Sequence, residues 1–432
     1  MAEKTHTIAV VGGGIAGLTL TLGLLHQKVP VTLYESASSF GEIGAGVAFG
    51  PNASRAMELI DPKIRQGFEN RKTQNLWESK KSRWFDFRYG VGKKIGEGPE
   101  ERVGELIVSL DTPPGRGTVH RAHFLDEMVA LLPDGISRFG KRLVDLTDEG
   151  PEKGVVLRFA DGTEARHIAV IGTDGIKSRT RELLLGEGHP AAKAFFSGKY
   201  AYRALIPMQK ASELLGEELA NNSQMYFGNH GHVLTFPIER GKTMNVVAFR
   251  SREKWENPEW VITVDKQTMQ NDFKGWSQHV QNIIANVEKP NIWALFMHPP
   301  APYYYKGRVC ILGDAAHAST PHCGAGAGMA IEDSYVLSGL IGQETIDGDL
   351  EAAFKAYDAV RRERSQKLVV ESKRQAEIYE FEVPEIGEDK ESVAAIMRTR
   401  MSWIWDEDLP AEARLASELL QKFKAESGTA RL

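Results

Sequence analysis

Val309-Cys310-Ile311-Leu312-Gly313-Asp314-Ala315-Ala316-His317, continued by Pro321-His322-Cys323-Gly324-Ala325-Gly326-Ala327-Gly328, decides how this chain folds. Val309–Leu312 has the composition of a buried strand, and an acid stands just past its end. A glycine-rich loop with two histidines follows. The same grammar opens the chain. Thr7–Val11 is a short apolar strand, Gly12–Gly17 a turn, Leu18–His26 an amphipathic helix and Val31–Tyr34 a second strand. Two strand-to-glycine-loop units, one near each end of the sequence, read as two halves of one cofactor site.

The first unit is the more specific. Gly12, Gly14 and Gly17 form Gly-x-Gly-x-x-Gly between a strand and a helix. The glycines permit a tight turn and a close backbone approach, and the helix N-terminus favours a pyrophosphate. Glu35 ends the second strand, where a carboxylate accepts from ribose hydroxyls and repels a 2′-phosphate. In the second unit Asp314 is placed to accept from the ribityl chain of a flavin. The Gly324–Gly328 loop brings backbone N–H groups at a helix start toward the flavin's N1–C2=O edge. A third segment, Asp174-Gly175 through Arg181, follows the apolar run Ala169–Gly172. It reads equally well as a turn near the nucleotide, with Arg181 bracing it, or as an ordinary strand-to-helix turn capped by Ser178.

Composition bounds the rest. The 432 residues are 42% hydrophobic, enough for two to three domains. With 53 basic against 58 acidic residues the net charge is −5, which speaks against nucleic acid or an anionic membrane as the main partner. The two cysteines, Cys310 and Cys323, build no disulfide framework and suit a reducing, cytoplasmic setting. Glycines interrupt the apolar run Ile8–Leu25, so it reads as strand, turn and helix rather than a leader. No apolar run is long enough for a transmembrane helix.

Further along, Gly41, Gly44, Gly46 and Gly50 make a second glycine-rich stretch, and Asn52–Leu59 is expected to be helical. Lys72–Arg88 is aromatic and basic, and His120–Leu132 has helical spacing. Gly154–Phe159 and Ala165–Ile171 read as hairpin strands about an Asp161-Gly162 turn. Lys199–Pro207, Gln224–Gly228, His232–Pro237 and Thr243–Phe249 alternate as an antiparallel sheet would. After Gly324 the chain is mainly helical.

The expected class is therefore α/β. A Rossmann-like FAD-binding domain with a parallel sheet occupies 1–75, 105–185 and 300–380. It is interrupted by a substrate domain with a mainly antiparallel sheet at 76–104 and 186–299, and a helical segment, 381–432, closes the chain.

The three segments, in this order, resemble the single-component FAD-dependent aromatic hydroxylases of the p-hydroxybenzoate hydroxylase-like fold, and within them the salicylate hydroxylases. Phe40–Asn52, Val119–Phe124, Arg138–Lys141, Gly231–Pro237 and Asn245–Phe249 carry the closer likeness. The resemblance implies FAD as cofactor, NADH or NADPH and O2 as co-substrates, and a small aromatic substrate. It implies a monomer or homodimer and no metal. It places Glu35 on the adenosine ribose, Ala48 and Arg121 against FAD, Asp314 and Ala327 on the ribityl-isoalloxazine part, and Asp174 near the nucleotide.

Such chemistry needs an electron-rich ring, so a phenol must be held as, or pushed toward, the phenolate. His322 is the candidate acceptor of that proton, against a plain loop-bracing role; His317 reads as structural. A benzoate carboxylate needs a cation, because an unpaired buried charge is costly. Arg203 shares a strand face with Ala201 and Leu205, and Arg250 is its rival. His232 shares a face with Leu234 and Phe236, and Met225 and Phe236 are apolar wall or simple core. Cys323 is a small filler or an oxidisable thiol. Related fungal enzymes that dearomatise phenols pair an arginine like Arg203 with a tyrosine where this chain has Phe236. The expected reaction is salicylate to catechol with loss of CO2. The alternatives are hydroxylation of another phenol or hydroxybenzoate without decarboxylation, including dearomatisation, and a non-catalytic flavin-fold binding protein.

Overall fold

The computed structural model describes residues 7–41, 46–92, 102–344 and 348–430, so Gly44 and part of the 76–104 segment lie outside the described residues. Ile8–Val11 pairs in parallel with Val31–Tyr34 on one side and Ala169–Gly172 on the other. Val309–Ile311 adds in parallel beyond Ala169–Gly172. The resulting six-stranded sheet runs Tyr305–Lys306, Val309–Ile311, Ala169–Gly172, Ile8–Val11, Val31–Tyr34, Ser137–Arg138. The two glycine loops thus leave one edge of the sheet from strands separated only by Ala169–Gly172, at the edge where a ligand of a parallel sheet sits.

The helix after the first loop starts at Ile15, not Leu18, and it is not amphipathic. Residues Leu18–Leu24 are all buried. The helix Gly326–Gln343 covers the face that was expected to meet water. A Cβ on Gly23 would lie 2.7 Å from Ser338 Oγ, and Thr19 and Ser334 hydroxyls meet at 3.3 Å. Glycine and small hydroxyl residues bring the two helix backbones together here.

Ala165–Ile171 divides. Glu164–His167 closes the expected hairpin with Val155–Phe159 in a three-stranded sheet, and Ala169–Gly172 turns away into the parallel sheet.

An eight-stranded sheet takes up the four alternating runs. Its order is Val261–Thr263, Asn291–Met297, Phe195–Pro207, Thr243–Ser251, Gly231–Ile238, Gln224–Gly228, Arg83–Tyr89, Leu106–Asp111. All neighbours are antiparallel except Gln224–Gly228 and Arg83–Tyr89. Leu106–Asp111 therefore joins this second sheet, a correction to its expected place in the first domain. Helices Leu350–Tyr379, Lys390–Thr399, Ser402–Trp405 and Leu409–Ala430 make the helical end.

Candidate functional site

The first glycine loop has the geometry a pyrophosphate needs. Gly12 has φ +111°, and a Cβ on Gly17 would meet Gly12 O at 1.8 Å, so neither position admits a side chain. Thr173 Oγ1 donates to Val11 O and Gly12 O at 2.9 Å each, tying the third segment to the loop. The Glu35 carboxylate accepts from the N–H of Gly13 and of Ala37 at 2.7 Å each. It lies against the glycine loop.

Asp174 is different. Its carboxylate accepts from the Ser178 hydroxyl, from Thr180 N at 2.9 Å and from Thr180 Oγ1 at 3.0 Å. It braces the turn, and the residues of this segment that face the cavity are Thr173 and Gly175. The expected cofactor ligand is a turn brace, because neighbouring donors satisfy its oxygens. Arg181, fully buried, donates to the carbonyls of Ala191, Ala315, Ala316 and Pro299, which fastens this turn to the Gly313-Asp314 segment.

In the second loop, Gly313 has φ +61°, and a Cβ there would lie 3.0 Å from that of Ala16. The two units come within one methyl group of each other. Asp314 stands exposed at the rim. His317 Nε2 lies 2.6 Å from Asp333 Oδ2, so its role is structural, as expected. Gly324, at φ +60°, turns the chain into Gly326–Gln343, a helix with no side-chain cap. Its first N–H groups are left for a ligand.

Between the loops and the eight-stranded sheet lies a cavity of about 380 Å³. Gly14, Ala48, Arg121, Asp314 and Ala327 line one side of it, and Arg203, Met225, Phe236 and His322 the other. One continuous space thus joins the nucleotide loop to the sheet face. Its glycine cradle, bare helix start and rim carboxylate fit a flavin.

Strand parity explains the sheet wall. In Thr243–Ser251, Asn245, Val247 and Phe249 face the cavity, while Met244, Val246 and Ala248 pack into cores on the other face. Arg250 follows the second set. Its Nη1 donates to Asn229 O at 3.0 Å and its guanidinium lies 5.8 Å from the Phe273 ring, so Arg250 is not a pocket residue. Arg203 is. It stacks on Trp293 at 4.6 Å, its Nε has no partner, and burial, with Arg121 nearby, brings its pKa down to about 10. It stays cationic at neutral pH and meets no carboxylate among the described residues.

His322 is 5% exposed, and neither ring nitrogen has a partner. Burial, then the charge of His232, pushes its pKa well below the usual histidine value, so it rests neutral. His232 does not line the cavity. It lies behind, its ring stacked on Phe249 at 4.3 Å, 5.2 Å from the His322 ring, with Nδ1 3.0 Å from Glu380 Oε1.

His232, His322 and Glu380 are the one group of possible metal ligands among the described residues, their candidate atoms lying within 4.8 Å of one another. Both Glu380 oxygens, however, are already engaged by His232, Ser251 and Lys199. Cys323 lines the cavity and burial raises its thiol to about 12, which keeps it an unreactive filler.

Several cavity residues carried no signal in the sequence. Trp84 and Trp405 meet edge to face at 5.1 Å, and Ile404 lies beside Trp405 on the wall. Arg116, 7% exposed, donates to Arg83 O at 2.9 Å and leaves Nε and Nη2 without partners. Asn245 leaves its amide nitrogen unbonded. The alternation of Asn245, Val247 and Phe249 was a signal for that strand; the C-terminal wall had none.

A family model described as an FAD binding domain matches residues 135–372. The 6-methylsalicylate 1-monooxygenase of Aspergillus terreus is 42% identical, over 98% of this chain and 94% of that one. A salicylate hydroxylase of Pseudomonas putida is 39% identical, over 94% of each. The solved structure of a salicylate hydroxylase substrate complex superposes with a TM-score of 0.83 at 36% identity, covering 96% of this chain and 98% of that one. With a flavin-shaped cradle opening onto a buried histidine and a cationic sheet wall, and with relatives of this kind along nearly its whole length, the chain belongs to the FAD-dependent aromatic hydroxylases of the salicylate hydroxylase type.

Proposed function

We propose that the enzyme converts salicylate, NAD(P)H, O2 and two protons to catechol, CO2, NAD(P)+ and water. The observation that carries this reading is His322, whose ring nitrogens are unbonded in a cavity that also presents Arg203. Bound FAD supplies the reducing equivalents and the activated oxygen. Glu35, the first glycine loop and Arg121 would hold its nucleotide part, and Asp314 and the Gly324–Gly328 backbone its ring end.

The chain's own residues do the rest. Arg203 neutralises the substrate carboxylate, which a buried site must do. Met225, Leu234, Phe236 and Val247 form an apolar wall against the ring and exclude water. His322 accepts the phenol proton and so leaves the ring electron-rich. Phe236 has no hydroxyl for a phenolate, which supports a salicylate-type pocket over phenol dearomatisation. A 6-methylated salicylate is a second reading, supported by the Aspergillus terreus relative and by the apolar wall.

Purified holoprotein should oxidise NADH or NADPH faster with salicylate present and release catechol. Stimulated oxidation without catechol, or with a hydroxylated acid as product, rejects decarboxylation. His322→Ala should keep its FAD, lose product formation by about 10²-fold or more, and recover in part as rising pH ionises the phenol.

A further inference from the structure

Behind His322 a line of polar groups crosses otherwise apolar packing and ends in solvent. His232 is fully buried, and its Nε2 has no partner. One nitrogen of His322, one of His232 and a Glu380 oxygen lie within 4.8 Å of one another, and the two imidazole rings are 5.2 Å apart; a single bridging water would join the rings. His232 Nδ1 is 3.0 Å from Glu380 Oε1. Glu380 Oε2 accepts from Ser251 Oγ at 3.0 Å and from Lys199 Nζ. Ser251 Oγ also lies 3.2 Å from Glu382 Oε1, and Lys199 Nζ 2.7 Å from Glu382 Oε2. His230 Nδ1 is 2.9 Å from Glu382 Oε1, and the His230 side chain is 69% exposed.

These groups come from separate parts of the chain. His232, Lys199 and Ser251 belong to three strands of the eight-stranded sheet. His230 sits at the tip of the hairpin between Gln224–Gly228 and Gly231–Ile238, at φ +59°, which a non-glycine residue seldom adopts. Glu380 and Glu382 follow the long helix Leu350–Tyr379. A clamp between sheet and helix needs only Lys199 and Glu380. It needs neither a bare His232 Nε2 nor an exposed histidine at the far end.

We infer that His232, Glu380, Ser251, Glu382 and His230 form a path by which the phenol proton leaves His322 for solvent, with Lys199 positioning both carboxylates. The inference rests on the proposed role of His322 as proton acceptor. The phenol O–H bond breaks and an N–H bond forms on His322. His322 passes a proton through the bridging water to His232 Nε2, and His232 gives its Nδ1 proton to Glu380. The carboxyl group turns and hands the proton to the Ser251 oxygen, while the Ser251 hydroxyl proton moves to Glu382. Glu382 yields it to His230 and water. One proton enters and one leaves, and no electrons move. Against a burial cost that raises it, the His232 hydrogen bond and the Lys199 charge hold Glu380 at about 2, so the proton is not trapped midway.

None of these five residues lines the cavity; each acts through His322. The test uses FAD-loaded enzyme and 5-nitrosalicylate, whose phenolate is coloured, in weakly buffered solution with a pH indicator. Stopped-flow mixing then follows ionisation at the site and proton arrival in solvent together. Wild type should show both in step. His230→Gln and Glu382→Gln should slow both by about tenfold or more, with FAD content unchanged, and imidazole should restore the His230→Gln rate. Wild-type rates in both variants overturn the path and leave the role of His322 standing. A probe that stays protonated in the wild-type site overturns both. If Glu382→Gln loses its FAD, His230→Gln decides alone, since an exposed hairpin tip is tolerant of substitution.

Discussion

At the residue scale the sheet wall turns on one arginine. Arg203 is half-buried, meets no carboxylate among the described residues, and lines the cavity, whereas Arg250 is spent on a carbonyl on the other face. Arg203→Ala should therefore weaken salicylate more than a phenol lacking the carboxylate. A charge-assisted buried hydrogen bond contributes about 1.5–3 kcal/mol, so the KM ratio between the two ligands should shift by roughly 10- to 100-fold. Equal effects on both ligands would move the carboxylate site elsewhere, with Arg116 and Asn245, whose side-chain nitrogens have unused donors, as the next candidates. Parity made part of this legible. Asn245, Val247 and Phe249 alternate, so Arg250 reads onto the far face from the sequence once Phe249 is placed. What parity cannot give is distance across strands. Nothing near Trp84 in sequence says that Trp405 will pack against it.

At the element scale the glycine loops and alternating strands were readable because their signals are local. The burial of the helix Ile15–His26 was not, since its cover arrives from Gly326–Gln343, far along the chain. The ionic centre of the helical layer is equally nonlocal. Arg361, fully buried, donates to Glu332, Asp333 and Glu412, on helices Gly326–Gln343 and Leu409–Ala430. Asp333 in turn holds His317 and Gly313 N, so this cluster fixes the cofactor loop from behind. Burial opposes its ionisation, yet His317 and Arg361 hold Asp333 at about 2. Arg361→Ala leaves three carboxylates without their shared cation and should cost about 3–5 kcal/mol. Lys210 pairs with Glu213 at the surface, and Lys210→Ala should cost less than about 1 kcal/mol. Thermal melts of the two holo variants check this; similar melting points would mean that the buried cluster is replaceable.

At the scale of the whole molecule, a cavity between two sheets needs buried polar groups, and these tie its stability to pH. Burial pushes His298 down to about 3 and His167 down to about 4. His167 is held between Thr7 Oγ1 and Tyr34 OH at 2.8 Å each. Both histidines stay neutral in the fold at a pH where the unfolded chain, with histidines near 6.5, takes up protons. The unfolded state then binds more protons, so stability falls as pH drops below about 6.5 and is regained above it. Each such group contributes about 1.4 kcal/mol per pH unit. Together the pair should remove roughly 2–3 kcal/mol by pH 5.5. Carboxylates held low, Glu380 and Asp333, extend the loss only below about pH 4.5. Asp174, Asp358 and Glu412, raised by burial, act in the opposite direction. The clean histidine window is therefore about pH 5 to 6.5. Denaturant unfolding of the holoprotein between pH 8 and 5 should show a plateau above 6.5 and a decline below it. His167→Gln keeps a side chain that bonds Thr7 or Tyr34 but removes the titration, so it should flatten the decline by about 1.4 kcal/mol per unit. A decline of unchanged slope in His167→Gln would assign the loss to other groups.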